Sequence, residues 1–167
     1  MTMMDVKTTT KAVRSGSIGW MLKRLSSRLD GDMNARLAPL GLELTSFAVM
    51  MTVLEHSPLN QAAISARLGM PAYKVSRALD HLERQGYIAR HPDPTSRRAH
   101  MIDATEAGLG IAPDLHAVVA AANAHLSDGL SAQETAHLIA LLSRMVEAQA
   151  AREAGPAELS RWRAASP

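Results

Sequence analysis

Apolar side chains recur at three- and four-residue steps along much of the chain, the spacing that lays one stripe along a helix. Ile18, Met21, Leu22, Leu25, Leu29 and Met33 predict a first helix over 18–38, broken by Pro39 and Gly41. Phe47, Met50, Met51 and Leu54 predict a second, to about residue 55. Thr45 is its expected cap, because a hydroxyl there can accept an orphan backbone N–H. After the turn His56-Ser57-Pro58, Asn60 is placed to cap a short third helix. That helix turns Ala63, Ile64 and Leu68 inward and stops at Gly69. Pro71 suits the first turn of a fourth helix, where its missing N–H costs nothing. Val75, Leu79 and Leu82 are the buried stripe of this helix, and Gly86 closes it.

The periodicity then changes. Residues 87–90 and 99–103 read as two short strands, joined through the polar, two-proline stretch 91–98. The expectation is a β-hairpin with a long tip. Thr105 can start a fifth helix to about Leu126, which Pro113 should kink or split. Ser131-Ala132-Gln133-Glu134 is a capping box, and Leu138, Leu141, Leu142, Met145 and Val146 mark a last helix to about 151. Residues 1–17, rich in Thr, Lys and Ser, read as a flexible arm, and 152–167 as a weakly structured tail.

Composition supports the helical reading. Ala (29) and Leu (20) dominate, while Phe, Trp and Tyr total five, a balance that favours helix over strand. A length of 167 residues suits one domain, or a small domain with one long embellishment. It leaves out large barrels and two-domain dinucleotide enzymes. Without cysteine there are no disulfides, Cys-zinc sites or thiol sensors. No run of about 18 apolar residues is present, and the first 17 residues have no apolar core of signal-peptide length. A soluble, cytoplasmic protein without a membrane partner is expected.

Charge is nearly balanced overall, at a formal +2, but not locally. Residues 67–98 hold seven cations (Arg67, Lys74, Arg77, Arg84, Arg90, Arg97 and Arg98) against Asp80, Glu83 and Asp93. A basic cluster of this kind gains by displacing counterions from nucleic acid. In the fourth helix, Ala72, Tyr73, Ser76 and Arg77 project opposite the buried stripe near the N-terminal end. From there a recognition helix reads base edges in the major groove. Arg77 has the fork that suits guanine. Tyr73 and Ser76 could reach a base or a phosphate, Ala72 allows close approach, and Lys74 and Arg84 add charge to the same helix. A polar outer face alone would mean only solvation. The hairpin favours the DNA reading by supplying a second basic element. Arg97 and Arg98 at its tip could enter a narrow minor groove, with Asp93 pairing to one of them to stiffen the loop.

Together these stretches resemble the MarR family of winged helix-turn-helix transcriptional regulators. The resemblance rests on 41–47, on 59–69, on the run from Val75 to Arg90, on Asp93-Pro94-Thr95-Ser96-Arg97-Arg98, and on Thr105-Glu106-Ala107-Gly108. It spans roughly 18–150. It implies a mainly α fold with a small β-hairpin wing. The winged helix-turn-helix DNA-binding domain would be 41–103, and the helical dimerisation region 18–40 with 104–151. It further implies a homodimer on double-stranded DNA at a promoter, most often as a repressor, released by a small aromatic or phenolic ligand. Two departures stand out. The family's wing often reads Asp-x-Arg-Asp-x-Arg, where this chain has Thr95 and Ser96 in the third and fourth places. Pro71 stands where a capping Ser is usual.

Other chemistries find less support. No nucleophile elbow, phosphate-cradling glycine loop or His-Glu-x-x-His motif is present, so neither enzymatic activity nor a cofactor is expected. The alternatives are a metal-responsive regulator of the same fold and a helical adaptor that binds protein rather than DNA. The metal reading is weakened because His116, His125 and His137 are not i,i+4 pairs, and His91 and His100 lie across the hairpin. A ligand-binding set of Trp20, Arg24 and Met50 is the expectation near the family's ligand cleft. Trp20 would be an aromatic wall and Arg24, one turn on, a carboxylate-binding cation. Most of the methionines, by contrast, are expected simply to fill the core.

Overall fold

The computed structural model describes residues 2–93 and 96–153, those of 96–98 as backbone only. The chain divides into two units, Met1–Leu126 and Ser127–Pro167. The first holds helices α1 (Met3–Ser15), α2 (Ile18–Leu37), α3 (Leu44–His56), α4 (Gln61–Leu68), α5 (Ala72–Arg84), α6 (Glu106–Gly110) and α7 (Ala112–Leu126). It also holds strands β1 (Leu59–Asn60), β2 (Ile88–Asp93) and β3 (Ser96–Ala104). The described part of the second unit is dominated by α8 (Ala132–Glu153). Among the described residues, no single helix is long and apolar enough to cross a membrane.

The strands form one antiparallel sheet in the order β1-β3-β2, with Leu59 and Arg90 both opposite Ile102. The hairpin is therefore longer and its tip shorter than the sequence suggests. β2 continues through His91 and Pro92 to Asp93, where the sequence reads as loop. An edge strand tolerates this, because a proline there need not supply an N–H to a second neighbour. The register shifts between Pro92 and Asp93, whose partners are His100 and Ser96, so the pairing is irregular toward the end of the hairpin. The two-residue β1 is too short to show as an alternating pattern, and it was not foreseen.

Helix boundaries follow local chemistry. Asn60 caps α4, its Oδ1 accepting from the Ala63 N–H at 2.9 Å, and Gly69 ends it in the left-handed conformation (φ 59°). Two helix starts differ from the expectation. α3 starts at Leu44, ahead of Thr45, because the Asn34 carboxamide from α2 accepts the Leu44 N–H at 2.9 Å. Pro71 precedes α5 as its cap residue rather than lying in its first turn, and its carbonyl accepts from Lys74 N at 2.9 Å. The predicted helix after Thr105 is split at Ile111, leaving Pro113 in the first turn of α7, where it is tolerated. Ser131 and Glu134 form the expected reciprocal box at the start of α8. Residues 3–15, read as a flexible arm, are helical. Thr2 and Asp5 close a capping box there, and no residue of α1 is buried. The tail from 154 onward lies outside the described residues.

Val49, Val53, Ile64, Val75, Leu79, Leu82, Ile88, Ile102 and Leu115 form the core, all but two of them completely buried. Each such side chain contributes about 1.5–3 kcal/mol by leaving water. This core gathers α3, α4, α5 and the sheet into one body, so the outer face of α5 is held rigidly. At the seam between sheet and helix, Gly108 leaves no room for a side chain. A Cβ there would stand 2.0 Å from the Tyr87 carbonyl oxygen and 2.9 Å from the Met50 methyl. The apolar stripe of α2 behaves differently along its length. Met33 and Leu37 are buried, while Ile18, Met21, Leu22 and Leu25 stay exposed.

Candidate nucleic-acid interface

The core-facing side of α5 is set by Val75, Ala78, Leu79 and Leu82. Polar contacts fix the rest of the helix. Gln61 Nε2 donates to the Ala72 carbonyl (3.1 Å), tying α4 to the first residue of α5. His81 Nε2 donates to the Gly41 carbonyl (2.8 Å), tying the last turn of α5 to the turn before α3. On the outer surface Tyr73 is 62 % exposed, Ala72, Lys74, Arg77 and Arg84 are exposed, and Ser76 is half-buried.

The structure thus brings the sequence-chosen residues of α5 onto its outer surface, divided between two sides. Tyr73, Lys74, Arg77 and Arg84 line an open groove with Gly41, Leu42, Glu43 and Thr45, and Ala72 and Ser76 face a cleft toward the wing. Among the described residues, Lys74 and Arg77 form no salt bridge, so their charge is available to a ligand. The two carboxylates of α5 are engaged. Arg90 on β2 donates from Nη2 to Asp80 Oδ1 (2.7 Å) and from Nη1 to Glu83 Oε2 (2.9 Å). The resulting face combines donors, cations and one aromatic ring on a helix that can enter a groove, and it suits an anionic duplex.

Sequence reasoning missed Arg90, Gln61 and His81 as parts of this site. A signal for the first was present: Asp80 and Glu83 lie one turn apart, and an arginine follows the helix by one short turn. In the wing, Asp93 ends β2 opposite Ser96. The side chains of Arg97 and Arg98, and hence the expected Asp93 pairing, lie outside the described residues.

The expected ligand set does not form one site. Met50 is completely buried in the core, as a packing residue touching the Gly108 seam. Trp20 is 48 % exposed, and Arg14 of α1 stacks over its ring at 5.2 Å. Arg24 is exposed on α2. A separate groove of about 120 Å³ runs between α2 and α7, lined by Leu25, Arg28, Leu29, Asp32, Ala122, His125 and Leu126. Within it Asp32 accepts from Arg36 Nε (2.7 Å) and from His125 Nδ1 (3.1 Å). The Arg36 bond, helped by His125, holds the Asp32 carboxyl below its usual range. Among the described residues, no three His, Asp or Glu side chains gather as a metal site would require.

Comparison with known proteins gives the same picture. A model of the MarR family matches residues 40–99, the segment from the turn before α3 to the wing. A MarR family transcriptional regulator from Rhodococcus sp. RHA1 is 30 % identical, with 78 % of this chain covering 93 % of that one at a TM-score of 0.71. CouR from Rhodococcus jostii RHA1, solved bound to p-coumaroyl-CoA, is 29 % identical over 79 % of this chain and 93 % of its own, at a TM-score of 0.67. A mutant MarR from E. coli complexed with operator DNA shares the fold at 24 % identity, over 77 % of this chain and 92 % of its own, with a TM-score of 0.67. The chain belongs to the MarR family of non-enzymatic, DNA-binding winged-helix transcriptional regulators.

Proposed function

We propose that the chain is a ligand-responsive repressor that binds a near-palindromic operator as a homodimer. Each protomer inserts α5 into a major groove and sets its wing against the flanking minor groove, through Arg97 or Arg98. Two-fold symmetry then spaces the half-sites by about one helical turn. The observation that carries the DNA contact is the exposed cationic face of Tyr73, Lys74, Arg77 and Arg84 on a helix whose carboxylates are bonded elsewhere. Pairing of protomers is supported by two apolar faces. Ile18, Met21, Leu22 and Leu25 on α2 are exposed, as are Leu138, Ile139, Leu141, Met145 and Val146 on α8. Soluble monomers rarely leave contiguous patches of that kind uncovered.

Ligand response is supported by CouR, which was solved with p-coumaroyl-CoA. In this chain Trp20 and Arg24 are the side chains offered to an aromatic acid, with Met50 confined to packing. A ligand that prefers one spacing of the two DNA-binding lobes lowers operator affinity by that preference, and DNA weakens the ligand reciprocally. As a regulator of genomic DNA the protein would act in the cytoplasm. Selection of bound fragments from genomic DNA, followed by a gel shift with and without aromatic acids, tests the reading. Recovery of a common inverted repeat supports it, and absence of any retarded fragment at low salt overturns it.

A further inference from the structure

Arg90 lies on the wing, yet both of its bonds reach back to the recognition helix. We infer that it is a positioning residue for DNA binding, which masks the Asp80 and Glu83 carboxylates from the phosphate backbone and ties the wing to α5. The inference rests on the DNA-binding reading above and adds a part to it.

Within α5, Lys74, Arg77 and Arg84 are opposed by Asp80 and Glu83, so the helix alone carries one net positive charge. Both carboxylates are near the surface, with side-chain exposures of 56 % and 42 %, and they flank the cleft that also holds Ser76 and His100. Left bare there, each would meet approaching phosphates with like charge. Arg90 answers both with one guanidinium, at 2.7 and 2.9 Å. Its own side chain is three-quarters covered, so the charge is spent inside the protein. Arginine suits the task, because its planar fork can serve two acceptors at once. The two bonds are also cross-links between elements. They join residues 80 and 83 on α5 to residue 90 on β2, next to the Arg90–Ile102 register pair that holds the wing in the sheet. A recognition helix and its wing must keep a fixed separation to occupy adjoining grooves.

Three variants test this with fluorescence anisotropy on a genomic duplex, alongside thermal melts to confirm folding. Arg90→Gln should bind DNA about tenfold more weakly than the parent. The same change combined with Asp80→Asn and Glu83→Gln should regain most of that loss, because nothing then needs masking. The triple variant should also keep the parent's salt slope. A loss that the added neutral residues do not repair overturns the masking role. So does a slope shallower by about one unit in the triple variant, which would place Arg90 on a phosphate. Undiminished binding by folded Arg90→Gln overturns it as well. Asp80→Asn with Glu83→Gln and Arg90 intact should bind at least as tightly as the parent, and weaker binding contradicts the proposal. If the parent itself fails to bind duplex at low salt, the DNA-binding reading falls, and this inference with it.

Discussion

Arg77 and Gly108 carry the account at the scale of single residues. Arg77 is exposed, lies in the groove-lining face of α5 and forms no salt bridge among the described residues. If it reads a guanine, Arg77→Ala should cost about 1–3 kcal/mol on the preferred operator and relax base choice at one position. Binding titrations over a set of single-base operator variants measure this, and an equal loss on every sequence would reduce Arg77 to a phosphate contact. Gly108 acts through stability. A methyl group there would overlap the Tyr87 carbonyl, which already accepts the Thr105 N–H at 3.0 Å. Gly108→Ala should therefore destabilise the winged domain by about 1–3 kcal/mol. Urea unfolding would show a lower midpoint, and an unchanged midpoint would contradict the tight approach.

Among the elements, α4 depends on its cap. Asn60→Ala removes the acceptor of the Ala63 N–H and should cost about 1 kcal/mol. A melting temperature equal to the parent's would show that the bond is replaced. The α2–α7 pair has a pH signature. Asp32 accepts from Arg36 on its own helix and from His125 on α7, and its carboxyl titrates below the ordinary value. A depressed folded-state value means that this contribution is present above the usual carboxylate pKa, near 4, and disappears as pH falls through the lower one. Melts of the parent and of Asp32→Asn should differ at neutral pH and converge at strongly acid pH. A constant difference would contradict the assignment.

The sequence showed the elements well where apolar spacing was regular, as in α2, α3, α5 and α8, and where a cap had one obvious side chain, as at Asn60, Thr105 and Ser131. It failed where the deciding partner is distant in the chain. The Asn34 carboxamide moves the start of α3, a third strand of two residues joins the sheet, and the edge position of β2 lets Pro92 remain in a strand. α1 escaped notice because its run of threonines and lysines makes the segment polar overall and reads as a solvated arm. The outer-surface residues of α5 were legible because a helix's outer face follows directly from its buried one. Arg90 was visible only as one more charge, since its meaning lies in two bonds across elements.

For the whole molecule, the proposed pairing of protomers rests on the bare apolar residues of α2 and α8. Replacing Ile139 and Val146, 59 % and 63 % exposed, with glutamate should convert the protein to a monomer in sedimentation and weaken operator binding. A dimer that persists would place the interface elsewhere. The central claim is that a cationic helix face grips duplex DNA, and its most direct test is the affinity of the unmodified protein for its selected operator as salt is raised. With Lys74 and Arg84 of two protomers on phosphates, log affinity should fall against log salt with a slope of about −4. No binding in dilute buffer, or an affinity indifferent to salt, would contradict it.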